Sequence, residues 1–121
     1  MFLRFVVGTD SQSPRELTGL FTEVEYLRKE GLLLDYQENM VNDIFRYFNK
    51  NLPCPPYSET NWSINAISWF KDSASVFINK MWDLKAILEQ NDISVRILKI
   101  EKPGMILYED EFQVVSQDRV H

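Results

Sequence analysis

The sequence is short of nearly every residue type on which common protein chemistries depend. Its single histidine, His121, is the last residue. A histidine-dependent triad or zinc site within the chain is therefore excluded. The single cysteine, Cys54, permits no intrachain disulfide and fits a reducing compartment. It stands in Leu52-Pro53-Cys54-Pro55-Pro56 with no histidine nearby in sequence to lower its pKa, so it reads as a small loop residue rather than a reactive thiol. Four glycines leave no glycine-rich phosphate loop. No apolar run approaches the ~20 residues of a membrane span. The apolar stretch Met1–Val7 is too short for a signal-peptide core, and Arg4 interrupts it. No basic block is present either. Thirteen basic and 18 acidic side chains give a net charge of −5, mixed along the chain. That balance repels nucleic acid and anionic membranes at long range. The expectation is a cytoplasmic protein with neither as a partner.

What is present is ordinary for a globular domain. Hydrophobic residues make up 45% and charged residues 26% of the 121 positions. That length suits one domain, residues 1–121, with 117–121 read as a flexible tail. A chain of this size buries roughly two-thirds of its unfolded surface, enough for a core without staples.

Hydrophobic period then places the elements. Phe2 to Val7 is dense in β-formers and reads as a strand. Ser13-Pro14-Arg15-Glu16 has the form of a helix start, with an N-cap, a first-turn proline and a capping-box glutamate. Leu17, Leu20, Phe21, Val24 and Leu27 follow at helical spacing, and Gly31 ends the helix. Asp35 with Glu38 suggests a second capping box. Met40, Val41, Ile44, Phe45 and Phe48 make the second stripe, which the prolines from Pro53 stop. Trp62 to Phe70 alternates as a strand. Asp72 or Ser73 caps a third helix carrying Ala74, Phe77, Ile78, Met81, Leu84 and Leu88, with Trp82 on its flank. Ile93 to Ile100, Met105 to Glu109 and Phe112 to Gln117 are strands. Pro103-Gly104 supplies the two central residues of a type II turn between the first two of these. The order is βααβαβββ. It predicts a single α+β domain with a mixed four- to five-stranded sheet and helices mainly on one face.

Residues 45–117 carry a resemblance. It lies in Trp69-Phe70-Lys71-Asp72-Ser73-Ala74, Met81-Trp82, Lys102-Pro103-Gly104, Tyr108-Glu109-Asp110-Glu111 and Gln113-Val114-Val115, with Phe48-Asn49 and Leu52-Pro53 before them. This half resembles an uncharacterised family of small bacterial proteins of unknown function. The resemblance implies a bacterial cytosolic setting. It implies no cofactor and no catalytic residue.

Three groups of residues are candidates for function. If the first strand runs parallel to the Trp62–Phe70 strand, two helix N-termini share one sheet edge, with Thr9, Ser11, Ser13, Lys71, Ser73 and Lys102. Helix N-termini favour anions. Ser13 and Ser73 serve equally well as plain caps, and the lysines as solvated charges. The second group, Glu109-Asp110-Glu111, offers carboxylates for a cation, but alternate strand residues point to opposite faces. A turn between the last two strands accounts for them as well. On this reading they lie at the end of the sheet opposite Lys71, near Asp92. The third group is the sheet face away from the helices: Arg4, Ile67, Trp69, Arg96 and Leu98, with Tyr108 and Gln113 able to join if the register of the last strands allows. Their composition is that of an interface, and a loop or the C-terminal tail lying over the face accounts for it as well.

The favoured reading is a small binding or interaction module that self-associates or meets a protein partner through this open face. The alternative is an enzyme or sensor for an anionic, phosphate- or carboxylate-bearing metabolite at the helix N-termini. A structural subunit without a ligand is the third. No nucleophile-and-base pattern supports an enzyme, and no metal or cofactor is expected.

Overall fold

β-Branched and aromatic runs become strands here, and the 3.6-residue stripes become helices, each turning its apolar side to a shared core. A computed structural model of the chain describes residues 1–8, 17–56, 62 and 66–117. In order, these form β1 (Phe2–Val7), β2 (Thr18–Gly19), α1 (Leu20–Lys29), α2 (Asp35–Asn51), β3 (Ile67–Lys71), α3 (Ser75–Gln90), β4 (Arg96–Ile100), β5 (Met105–Glu109) and β6 (Gln113–Gln117). The α+β class and the order of the main elements are those the sequence predicts. The expected caps at Ser13 and Glu16 and the tail beyond Gln117 lie outside the described residues. Among the described residues, no helix is long and apolar enough to cross a membrane.

The helix ends follow local chemistry. Gly31, at φ 68°, stops α1 in a Schellman motif: the amide of Leu32 donates to Leu27 (2.9 Å) and that of Gly31 to Arg28 (3.1 Å). The end of α3 repeats the motif with Ile93 to Leu88 (3.0 Å) and Asp92 to Glu89 (3.1 Å), but a non-glycine, Asp92, holds the left-handed position at φ 64°. L-residues meet a steric cost there. Asp92→Gly is therefore expected to raise unfolding free energy by about 0.5–1 kcal/mol in urea titration, the relief of strain outweighing glycine's greater unfolded freedom. A loss of stability instead would mean that the aspartate side chain supports the turn.

All three helix starts differ from the sequence reading. The cap of α2 is Leu34, whose amide donates to Oε1 of Gln37 (3.0 Å), one residue before the expected Asp35–Glu38 pair. The cap of α3 is Ala74, without any side-chain cap, so neither Asp72 nor Ser73 serves. Leu17 also precedes the first helix. Thr18 and Gly19 pair with Val7 and Val6, so the sheet claims the residues that helical spacing assigned to a helix.

Among the described residues the sheet has six strands, one more than the expected maximum, the sixth being the two-residue β2. The sheet is antiparallel and not mixed as expected: among the described residues every hydrogen-bonded pair, β1 with β2, β3 and β4, β3 with β6, and β5 with β6, is antiparallel. Phe2 pairs with both Lys71 and Ile100, so β3 and β4 flank β1 on opposite sides. The β3–α3–β4 crossover thus keeps its two strands parallel, but β1 lies between them. The expected Pro103–Gly104 hairpin is absent. Gly104 takes the positive φ (95°), yet β4 pairs with β1 and β5 with β6. Turn chemistry sets the local chain path and does not choose the partner strand.

Residues directly opposite in a ladder point to the same face. Leu3, Phe5, Phe70, Ile97 and Val95 face the helices. Phe5 and Val95 join Leu20, Val24, Val41, Ile44, Phe77, Met81, Leu84 and Leu88 in one buried cluster, with Phe70 and Ile97 packed against it. The other face carries Arg4, Val6, Leu98, Arg96, Trp69 and Ile67.

Candidate functional site

The ladder along β1 is broken on one flank. β3 pairs with Phe2 and Leu3, and β2 pairs with Val6 and Val7. Between them, Arg4 and Phe5 have no cross-strand partner on that side among the described residues. Gly19 and Ala66, both small, lie next to the gap. A cavity of about 380 Å³ opens there. Its wall comes from both faces of the sheet: Arg4 and Ile67 from one, Phe5, Ser68, Phe70 and Gln113 from the other. Leu20 and Phe21 of α1, Leu52 after α2 and Met81 of α3 close it.

Arg4 is the one charge among the described residues that line this cavity. Its Nη1 is buried and has no hydrogen-bond partner among them. A buried donor left unmade costs about 1–3 kcal/mol, and more for a charged group. Burial holds the Arg4 pKa below its ordinary value, though a guanidinium remains charged at neutral pH. The site therefore sets a cationic side chain with one unmatched donor among mainly apolar walls, an arrangement suited to an anion.

A second cavity, of about 540 Å³, lies between α1, α2 and the proline-rich loop. Phe45, Phe48, Pro53 and Pro55 line it, with Glu25, Asn49, Cys54 and Gln113 as its polar members. Phe21, Leu52 and Gln113 line both cavities. Phe21 is held by ring contacts to Phe45 (5.2 Å) and Phe48 (4.9 Å). Comparison with protein-family models, curated proteins and solved structures finds no match to this chain. The resemblance over 45–117 thus brings no further residue to the site, whose chemistry rests on the geometry alone.

The residues singled out from the sequence are distributed unevenly. Arg4, Ile67, Trp69, Arg96 and Leu98 do share one face, and each is half-buried. Tyr108 and Gln113 do not join them. Tyr108 pairs with Val115, and Gln113 with Phe70, so both point to the helix side.

The proposed anion edge rested on a parallel β1 and β3, and these are antiparallel. Ser13, Thr9 and Ser11 lie outside the described residues. Lys71 is spent on Glu109 (2.6 Å), and Ser73 and Lys102 are exposed. Glu109 at this end also overturns the separation of acidic and basic ends. β5 ends, and β6 begins, beside the end of β3, whereas Asp92 precedes the start of β4 at the other end.

The acidic triplet is a turn built around one carboxylate. Oδ1 of Asp110 accepts from the amides of Phe112 (2.8 Å) and Gln113 (3.0 Å). Its Oδ2 accepts from the Tyr108 hydroxyl (2.8 Å) and from Nε2 of Gln113 (3.0 Å). The same Nε2 donates to the carbonyl of Pro53 (2.6 Å), which ties the β5–β6 turn to the loop after α2. Burial alone raises the Asp110 pKa, but these hydrogen bonds outweigh it and hold the carboxyl below its usual range. Among the described residues, no group of three acidic, cysteine or histidine side chains could hold a metal ion.

The sequence signal for Arg4 was visible as a lone charge in an apolar strand. Phe21, Leu52 and Met81 gave no signal beyond core, because the cavity they close is made by the break in the ladder.

Proposed function

We propose that the chain binds a small monocarboxylate, with Arg4 as the partner of its carboxyl group. Arg4 carries this reading: its side chain lines an otherwise uncharged cavity, and its buried Nη1 has no hydrogen-bond partner among the described residues. A carboxylate matches the guanidinium fork and gives charge-assisted hydrogen bonds, roughly twice as strong as neutral ones. Apolar surroundings strengthen that attraction. One guanidinium balances one negative charge. A phosphate dianion would bring a second charge with no cation to meet it, which makes its burial costly. A cytoplasmic setting without a nucleic-acid partner is the matching proposal, supported by the single cysteine and the net charge of −5.

Calorimetric titration with acetate, propanoate and butanoate tests the reading. Binding should weaken at least tenfold in Arg4→Met. That variant should be as stable as the parent without ligand, or more so, because it removes a buried unpaired donor while keeping much of the apolar stem. Equal binding by the variant, or equally tight binding of inorganic phosphate, would count against it.

Self-association through the helix-free sheet face is the second reading. It is favoured by Ile106, exposed on the face that Arg4, Ile67, Trp69, Arg96 and Leu98 share, and is confined to the outer part of that face, since Val6, Val114 and Ser116 on it are buried within the chain. Sedimentation at micromolar concentration should then show a dimer that Trp69→Ala weakens by tenfold or more. A monomer unaffected by the substitution rules the reading out.

A further inference from the structure

We infer that the bound carboxylate carries an unbranched alkyl tail that passes the Phe21–Leu52–Gln113 wall into the second cavity. The ligand class is then a medium-chain aliphatic monocarboxylate. This inference rests on the carboxylate reading and adds the other end of the ligand.

The two cavities share those three residues as a wall, so they adjoin. A chain that reaches from one to the other runs between the side chains of Phe21, Leu52 and Gln113. A slim, flexible chain suits such a passage better than a ring. Beyond it, Phe45, Phe48 and Pro55 offer apolar surface, and burying a methylene against such surface is favourable. The far cavity's Glu25 is paired with Arg28, and among the described residues no lysine or arginine lines that cavity to meet a second carboxylate. A dicarboxylate of the same length is therefore disfavoured at that end. Cys54 lines the far cavity and is exposed, and it is the one cysteine of the chain. A tail that fills the cavity should shield its thiol.

The test combines affinity with thiol protection on the full chain. Butanoate, hexanoate, octanoate and decanoate are titrated below their micelle concentrations, with octanol and octanedioate as controls. The rate of maleimide addition to Cys54 is followed at saturation with each acid. The expected result is affinity rising by about fourfold per added methylene, the equivalent of ~0.8 kcal/mol. Octanol and octanedioate should each bind at least tenfold more weakly than octanoate. Decanoate should slow Cys54 alkylation severalfold, and butanoate should leave it unchanged. If butanoate binds through Arg4 but longer acids gain nothing and leave Cys54 equally reactive, the tail inference falls and the carboxylate reading stands. If no acid binds, both fall. If octanol matches octanoate, the pocket takes apolar chains without reference to charge, and both fall again. The octanol comparison needs no variant, so a poorly folding Arg4→Met does not spoil the test.

Discussion

Leu84→Ala is expected to lower the unfolding free energy by about 3–5 kcal/mol, with an unchanged denaturant slope. Leu84 is fully buried at the centre of α3, in the cluster with Met81, Ile87 and Leu88 below the sheet. Truncation removes transfer energy and leaves a hole, because packed neighbours relax only in part. A domain of this size has a total stability of about 5–15 kcal/mol, so the variant should lose a large share of it. Trp82, two residues before, is the control. It is the larger side chain, but it is 47% exposed, with one edge-on contact to Phe5 at 5.9 Å. Trp82→Ala should cost about 1 kcal/mol. Urea unfolding of the two variants decides the matter, and equal losses would falsify the placement of α3 on the sheet.

Asp110→Ala should cost about 2–4 kcal/mol, since it strands the Phe112 and Gln113 amides and frees the tether to Pro53. Asp110→Asn keeps an acceptor oxygen and should lose about half as much. The effect must also depend on pH. The carboxyl sits below its ordinary value in the folded chain, so on acidification the unfolded chain takes up its proton first. Its contribution is therefore complete above the unfolded pKa of about 3.9 and is lost as pH falls through the folded value. Parent and Asp110→Asn should differ by a constant amount near neutrality and converge in acid. A gap that widens on acidification would reverse the assigned sign. The Tyr108 hydroxyl, raised by its hydrogen bond to Asp110, then by burial and by the charges of Asp110 and Cys54, should titrate lower in Asp110→Ala. Ultraviolet absorbance at alkaline pH would follow it.

The legible and illegible parts of this fold divide along a physical line. Local rules were sufficient for α2 and α3, whose buried Val41, Ile44, Phe48, Phe77, Met81 and Leu84 stand at helical spacing, and for the stop at Gly31. They also sorted Arg4, Ile67, Trp69, Arg96 and Leu98 onto one face, because strand alternation is local. Strand pairing is not local. Nothing in Phe2–Val7 reveals that β1 lies between β3 and β4, or that β4 and β5 ignore the turn between them. The cavity inherits that difficulty, since it exists where two partners of β1 fail to meet. Arg4 could be noticed in the sequence, but its buried, unmatched nitrogen could not.

The central place of β1 also sets an order for folding. One of its edges is paired along Phe2–Val6 by β4 alone, and β4 does not begin until Arg96. While the chain is being synthesised, the apolar segment Phe2–Val7 stays bare on one edge until most of the protein has emerged. Such long-range closure is slow, and a waiting apolar edge is the kind of surface on which chains aggregate. Arg4, set in the middle of that segment, puts a charge where a growing chain most needs to stay apart from its neighbours.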